Sequence, residues 1–211
     1  MERQKPTRVL ALTNMDNTLA LKEAVDDLKG EYGEIVELKK VYFLDWENPH
    51  IPLASLETEV AGADIVLVDV RGDVRVAREM VGLLRGKEQT VVVLIGGNRE
   101  LFALTRMGKF RGEKLFRPAR GKEKEFDVNA YLRTKKFSAL TKKLGAFLPF
   151  GMLGDMRNWV LAQEYYAEGD SKNLKNMLQL LLREYGGHNR IKPPQPPQRQ
   201  PDFGLYLPAL V

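Results

Sequence analysis

The chain has 211 residues, of which 44% are hydrophobic and 29% charged, enough to bury one core or two small ones and to fold as a soluble protein. Its 33 Lys and Arg against 28 Asp and Glu leave a net charge of +5, and it carries no cysteine and two histidines, His50 and His188. That composition excludes disulfides, thiolate metal sites and cysteine nucleophiles, and leaves a dedicated transition-metal site almost no nitrogen ligands.

No apolar run approaches the ~20 residues that span a bilayer, and the opening Met1–Val9 lacks the apolar stretch of a secretory signal. The chain is therefore read as cytoplasmic, with no membrane span.

From Arg8 to about Leu104 short apolar runs alternate with amphipathic stretches, the signature of β-α-β units and a parallel sheet. Arg8–Thr13 reads as the first strand, and Leu19–Tyr32 as a helix with Leu21, Val25, Leu28 and Tyr32 on one face, ended by Gly33. Glu34–Leu38 and Val41–Leu44 form one long strand or two. The β-branched runs Asp64–Val70 and Thr90–Ile95 read as buried central strands. Between them Asp73 is expected to cap a helix striped by Val74, Ala77, Val81 and Leu84 and stopped by Gly86. The expected class is α/β, a Rossmann- or flavodoxin-like, mainly parallel sheet of four or five strands over residues 1–118, followed by a helical segment.

Strand signals fade after Gly108, and the basic, glycine-punctuated segment to Gly121, broken by Pro118, places a boundary there. Residues 119–190 are expected to pack helices on the first domain, over 128–144, 155–166 and a third, clearest segment. Ser171 is its expected cap, Leu174, Met177, Leu178, Leu181, Leu182 and Tyr185 keep helical spacing, and Gly186-Gly187 stops it. Residues 191–211 open on the proline-rich Lys192–Pro201. That stretch reads as an extended, polyproline-like connector with no core of its own, leading towards a further domain; an SH3-type ligand is its other use.

Open parallel sheets bind ligands beyond the carboxyl ends of their strands, where helix N-termini aim free N–H groups into the crevice. The loops selected by that rule are Asn14–Thr18, Asp69–Asp73 and Gly96–Arg99, so Asn14, Asp16, Arg71, Asp73 and Asn98 are candidate ligand-binding residues facing one crevice. The first loop resembles the D-x-D-x-T nucleophile loop of haloacid-dehalogenase-type phosphatases, but Asn14 holds the place of the attacking aspartate, and an amide cannot replace a carboxylate as nucleophile. Turn and cap roles are the plainer use of these residues.

Gly96-Gly97 lacks the third glycine of a dinucleotide fingerprint, and no phosphate-cradling G-x-x-x-x-G-K-[ST] occurs. Asp69 and Asp73 with Arg71 and Arg75 are either an acid pair or cation site, or a helix cap with surface partners. His50 and His188, without a second ligand at metal spacing, are read as ordinary loop residues. The basic stretches Arg106–Lys124 and Arg133–Lys143 fit an anionic partner or a solvated surface. No nucleic-acid partner is expected, since no helix-turn-helix, RNA-recognition or zinc motif occurs.

The run Gly169-Asp-Ser-Lys-Asn-Leu-Lys-Asn-Met-Leu through Gly187, the prolines after it, and Gly204-Leu-Tyr-Leu-Pro208 resemble cobaltochelatase large subunits and magnesium-chelatase H subunits. There a G-x-x-x-N-L-x-N-[LM]-[LF] helix precedes a P-x-P segment and a G-[IL]-Y-H-P motif. The upstream order, a Rossmann-like half and then helices with Trp159, is similar to the N-terminal region of that family. Leu207 departs from it, standing where the family has histidine.

The resemblance implies ATP-dependent insertion of Co2+ or Mg2+ into a tetrapyrrole, in cobalamin or chlorophyll biosynthesis. Such a subunit holds the macrocycle while AAA-type ATPase partner subunits hydrolyse ATP. The metal-handling residues of that family lie downstream, so no catalytic residue, metal ligand or cofactor is carried onto this chain. The expectation is an N-terminal piece of a longer subunit, non-catalytic alone, in which Arg106, Lys109, Arg111, Lys114, Arg117 and Arg120 are available to tetrapyrrole carboxylates, with Arg111 and Arg117 the candidate contacts. The alternative is a flavodoxin-like or receiver-like signalling module, favoured by Asp69 at a strand end and weakened by the lone carboxylate of the Asn14/Asp16 pair.

Overall fold

The computed structural model describes residues 5–13, 16–42, 53–71, 74–95, 99–116 and 151–199. In chain order these give β1 (Thr7–Thr13), α1 (Thr18–Tyr32), β2 (Val36–Tyr42), α2 (Leu53–Gly62), β3 (Ile65–Asp69), α3 (Val74–Leu84), β4 (Thr90–Ile95), α4 (Arg99–Ala103), β5 (Arg106–Met107) and β6 (Phe110–Arg111). A 3-10 turn over Gly112–Lys114 follows, and then α5 (Met152–Glu168) and α6 (Ser171–Glu184).

The six strands make one sheet in the order β2-β1-β3-β4-β5-β6. It is parallel from β2 to β4, and β5 and β6 add an antiparallel edge. The α/β class expected from the sequence is present, with the strand order of flavodoxin-type folds.

Alternation explains the layers, because successive strand residues point to opposite faces. Val9, Ala11, Ile65, Leu67, Val92 and Leu94 face one apolar cluster with α1, α5 and α6. Their neighbours Leu10, Leu12, Val66, Val68, Val91 and Val93 face a second cluster with α2 and α3. With both faces covered, β3 is buried along its whole length, which is why its sequence is a continuous apolar run.

Several boundaries differ from expectation. The second strand is one element, Val36–Tyr42. Strand signals fade after Gly108, yet a β5–β6 hairpin turns there, its two-residue strands too short to show a period. Its turn needs Gly108: the residue has a φ of 49°, and a Cβ there would lie 2.6 Å from the Asp155 carboxylate, which accepts a bond from the Lys109 backbone N–H at 2.7 Å. The start of the stretch read as a boundary is thus pinned to the first turn of α5.

The cap of α6 is Asp170, not Ser171. Asp170 is extended, and its carboxylate accepts from the N–H groups of Lys172 and Asn173 at 3.0 and 3.1 Å, so Ser171 is already the first helical residue. The helix expected over 128–144 lies outside the described residues. Among the described residues no helix is long and apolar enough to cross a membrane.

Candidate functional site at the switch point of the sheet

β1 is followed by β2 on one side and flanked by β3 on the other, so the connections leaving β1 and β3 diverge beyond Thr13 and Asp69. This is where open α/β sheets take ligands. Among the described residues, α5 brings the Tyr166 hydroxyl to this point. Trp159, Gln163 and Tyr166 recur at helical spacing on the α5 face turned to the strand ends.

The register between β3 and β4 breaks beside the site: Val68 pairs with Val93 but Asp69 with Ile95, leaving Leu94 as an extra residue. Such an irregularity frees main-chain groups and re-aims a side chain. The Trp159 indole donates to the Val93 carbonyl at 2.9 Å and the Gln163 amide to the Leu94 carbonyl at 3.1 Å. Trp159 is wholly buried, with the rings of Phe102, Phe110 and Phe116 around it at 5.5 to 6.2 Å.

Asp69, 1% exposed, accepts the Tyr166 hydroxyl at 2.8 Å and faces the Arg71 guanidinium at 3.2 Å. The single phenolic proton goes to the carboxylate, the strongest acceptor in reach. The Tyr166 oxygen is thereby left to accept from the Asn17 amide at 3.1 Å and from Thr13 Oγ1 at 3.3 Å.

Burial, reinforced by the Asp69 charge, pushes the Tyr166 phenol far above its ordinary range. At neutral pH it is a fixed donor, not a base. Among the described residues, Thr13, Leu21, Leu67, Asp69, Leu94 and Tyr166 line a cavity of about 10 Å³, room for one water. Asn17 Oδ1, buried with no hydrogen-bond partner among the described residues, is the polar atom left over.

Of the residues selected from sequence, Arg71 alone among the described ones reaches the Asp69 cluster. Asp16 turns outward, its side chain 83% exposed, accepting from Thr18 Oγ1 at 3.1 Å and lying 3.8 Å from Lys40. Those hydrogen bonds to Thr18, with the nearby Lys40 charge, hold its carboxyl below the usual range.

Arg111 stands on β6, three strand positions from β3, where its guanidinium donates to the carbonyls of Gly108 at 2.6 Å and Phe110 at 2.9 Å. It shares the sheet edge with Arg106, Lys109 and Lys114, remote from the crevice. Asn14, Asp73, Asn98, Arg117 and His50 lie outside the described residues.

His188 is corrected from an ordinary loop residue to a buried one, 4% exposed. Its Nε2 lies 3.0 Å from Thr7 Oγ1 and ties the end of α6 to the start of β1; burial lowers its pKa. Among the described residues no group of three or more His, Cys, Asp or Glu is placed to hold a metal ion.

Sequence reasoning missed Asn17 and Tyr166. Asn17 sat inside a selected loop without being singled out, and the available signal for Tyr166 was a Tyr165-Tyr166 pair in a helix whose apolar residues extend beyond one stripe.

A family model described as a domain of unknown function (DUF3479) matches residues 8–160. The magnesium-chelatase H subunit of Cereibacter sphaeroides is 25% identical over 178 residues, covering 79% of this chain and 15% of that protein. The chain thus spans about 15% of the length of this curated relative. The solved catalytic subunit of cobaltochelatase from Mycobacterium tuberculosis aligns with 96% of this chain and 12% of its own, at 17% identity and a TM-score of 0.48. The resemblance to large chelatase subunits is upheld by the curated match, and the family model, over residues 8–160, covers the sheet.

Proposed function

The chain belongs to the DUF3479 family, and from that premise we propose that it forms the N-terminal domain of the tetrapyrrole-binding large subunit of an ATP-dependent cobalt or magnesium chelatase, non-catalytic alone. The observation that carries this reading is the match to a magnesium-chelatase H subunit over 79% of the chain. In this reading AAA-type ATPase subunits supply ATP hydrolysis, Co2+ or Mg2+ is cargo inserted elsewhere in the subunit, and the setting is the cytoplasmic one expected from the sequence.

A scaffolding role is supported by the switch point itself. The Tyr166 hydroxyl occupies the space between Thr13 and Asp69 that a small ligand takes in related architectures, so binding falls to another surface. The basic sheet edge of Arg106, Lys109, Arg111 and Lys114, continued in sequence by Arg117, suits the carboxylates of a tetrapyrrole. Each exposed contact of this kind contributes about 1 kcal/mol or less, so several act together.

The test is an absorbance titration of a soluble carboxylated porphyrin with the chain, at low and high salt, beside the Arg111→Ala/Arg117→Ala double variant. Binding about tenfold weaker in the variant, and weaker in high salt, is expected, with neither ATP hydrolysis nor metal insertion. Binding indifferent to both changes would remove this edge from the site. Metal insertion by the chain alone would overturn the non-catalytic reading.

The strand order also favours a second reading, a flavodoxin-like binding module. It requires the switch point to open.

A further inference from the structure

The outer face of α6 carries Asn173, Asn176, Gln179 and Arg183, spaced as one helical stripe. Along it residues 191–199, outside any helix or strand, run antiparallel to the helix. The Arg183 guanidinium donates to the Ile191 carbonyl, and Gln179 Nε2 donates to the Lys192 carbonyl at 2.6 Å. Asn176 Oδ1 accepts from the Gln195 N–H at 2.8 Å. The Asn173 amide pairs with Gln198 in both directions, giving its Nδ2 proton to the carbonyl at 2.8 Å and taking the N–H on Oδ1 at 3.0 Å. From α5, the Tyr165 hydroxyl donates to the Gln195 carbonyl.

Each of these bonds reaches main chain. That suits a polyproline-II segment, which makes no hydrogen bonds of its own and presents its backbone freely. In Pro193-Pro-Gln-Pro-Pro-Gln198 the prolines have no N–H, so the donors fall at Gln195 and Gln198, three residues or one polyproline turn apart. They meet Asn176 and Asn173, whose side chains bridge the difference between the ~9 Å of a polyproline turn and the ~4.5 Å that three helical residues advance. Asn173 and Gln179 are 1% and 6% exposed, and buried amides of this kind require partners; the strap provides them.

We propose that the outer face of α6, with Tyr165, is a polyproline-II binding site that reads the ligand's main chain in a fixed register. It requires two N–H groups three positions apart and accepts proline between, and residues 191–199 are its ligand in cis. Tethering raises the effective concentration of the cis segment into the millimolar range, so the site is filled by its own chain. Emptied, it takes the same peptide in trans.

The experiment is amide hydrogen exchange by NMR on the full chain, reading Gln195 and Gln198 against a free 191–199 peptide. Exchange at least tenfold slower than in the peptide is expected in the wild type. The same protection is expected in Gln195→Ala and Gln198→Ala, which keep the N–H. In Gln198→Pro, protection at position 195 should fall to within about twofold of the free peptide while the resonances of residues 7–116 stay in place. A labelled 191–199 peptide at millimolar concentration should then bind the Gln195→Pro/Gln198→Pro chain saturably and leave the wild type untouched. Unprotected amides in the wild type, alanine variants as damaging as the proline ones, or an emptied chain that ignores the peptide would each overturn the proposal.

Discussion

Two polar seams hold the C-terminal helices, and they differ in their access to water. At the strand ends Trp159, Gln163 and Tyr166 donate to the Val93 and Leu94 carbonyls and to Asp69, with Trp159, Tyr166 and Asp69 all buried. On the outside of α6, Asn173, Asn176 and Gln179 hold a segment whose Gln195 and Gln198 face solvent. The bonds are of similar length and similar chemistry. Breaking one in the first seam strands a partner where water cannot substitute, whereas in the second the buried amides of Asn173 and Gln179 lie under an exposed segment, whose release admits water to them.

Removing the largest side chain of the inner seam should have the largest effect. Trp159→Ala deletes a wholly buried ring system and the donor to Val93, and about 3–5 kcal/mol of stability in urea unfolding should go with it; a loss below 1 kcal/mol would erase the contrast. Tyr166→Phe keeps the ring and removes only the hydroxyl, leaving Asp69 one donor short. About 1–3 kcal/mol is expected from the same measurement.

The pH dependence sharpens the same contrast. Burial raises Tyr165 to about 12 and carries Tyr166 and Tyr185 upward too. Their folded-state pKa values exceed the unfolded value near 10, so their contribution is complete below pH 10 and is lost as pH climbs through the folded values. Stability should therefore fall above pH 10, less steeply in Tyr166→Phe.

His188 runs the other way. Its folded pKa lies below the unfolded value near 6.5, so its contribution is whole above pH 6.5 and is lost as pH falls through the folded value. Comparing denaturant midpoints from pH 7 to 5 in wild type and His188→Gln should show the flatter curve in the variant. The smallest effect belongs to the outer seam: Asn176→Ala should lower stability by under about 1 kcal/mol while freeing the Gln195 amide to exchange.

The sheet was legible in the sequence because β3 and β4 are buried on both faces, so their apolar runs and β-branched residues have no competing reading. The β5–β6 hairpin was not, since its pairing rests on Gly108 and a carboxylate from α5 rather than on a pattern within the strands. The strand-end rule located Asp69 and Arg71, yet the residue that closes the crevice, Tyr166, lies 97 positions from its partner, and no local periodicity encodes that meeting. Asn173 and Asn176 stood inside the run that carried the family resemblance. Their role was hidden because they bind main chain, which leaves no complementary side-chain pattern among the prolines.

The claim that α5 turns a ligand-binding crevice into a closed scaffold is tested most directly by titrating the whole chain with flavin mononucleotide and, separately, ATP, following flavin fluorescence and binding heat. With Tyr166 seated between Thr13 and Asp69, no saturable binding of either is expected up to millimolar concentration. Saturable binding of either ligand that shifts the Tyr166 or Asp69 resonances would contradict the account and favour a flavodoxin-like module.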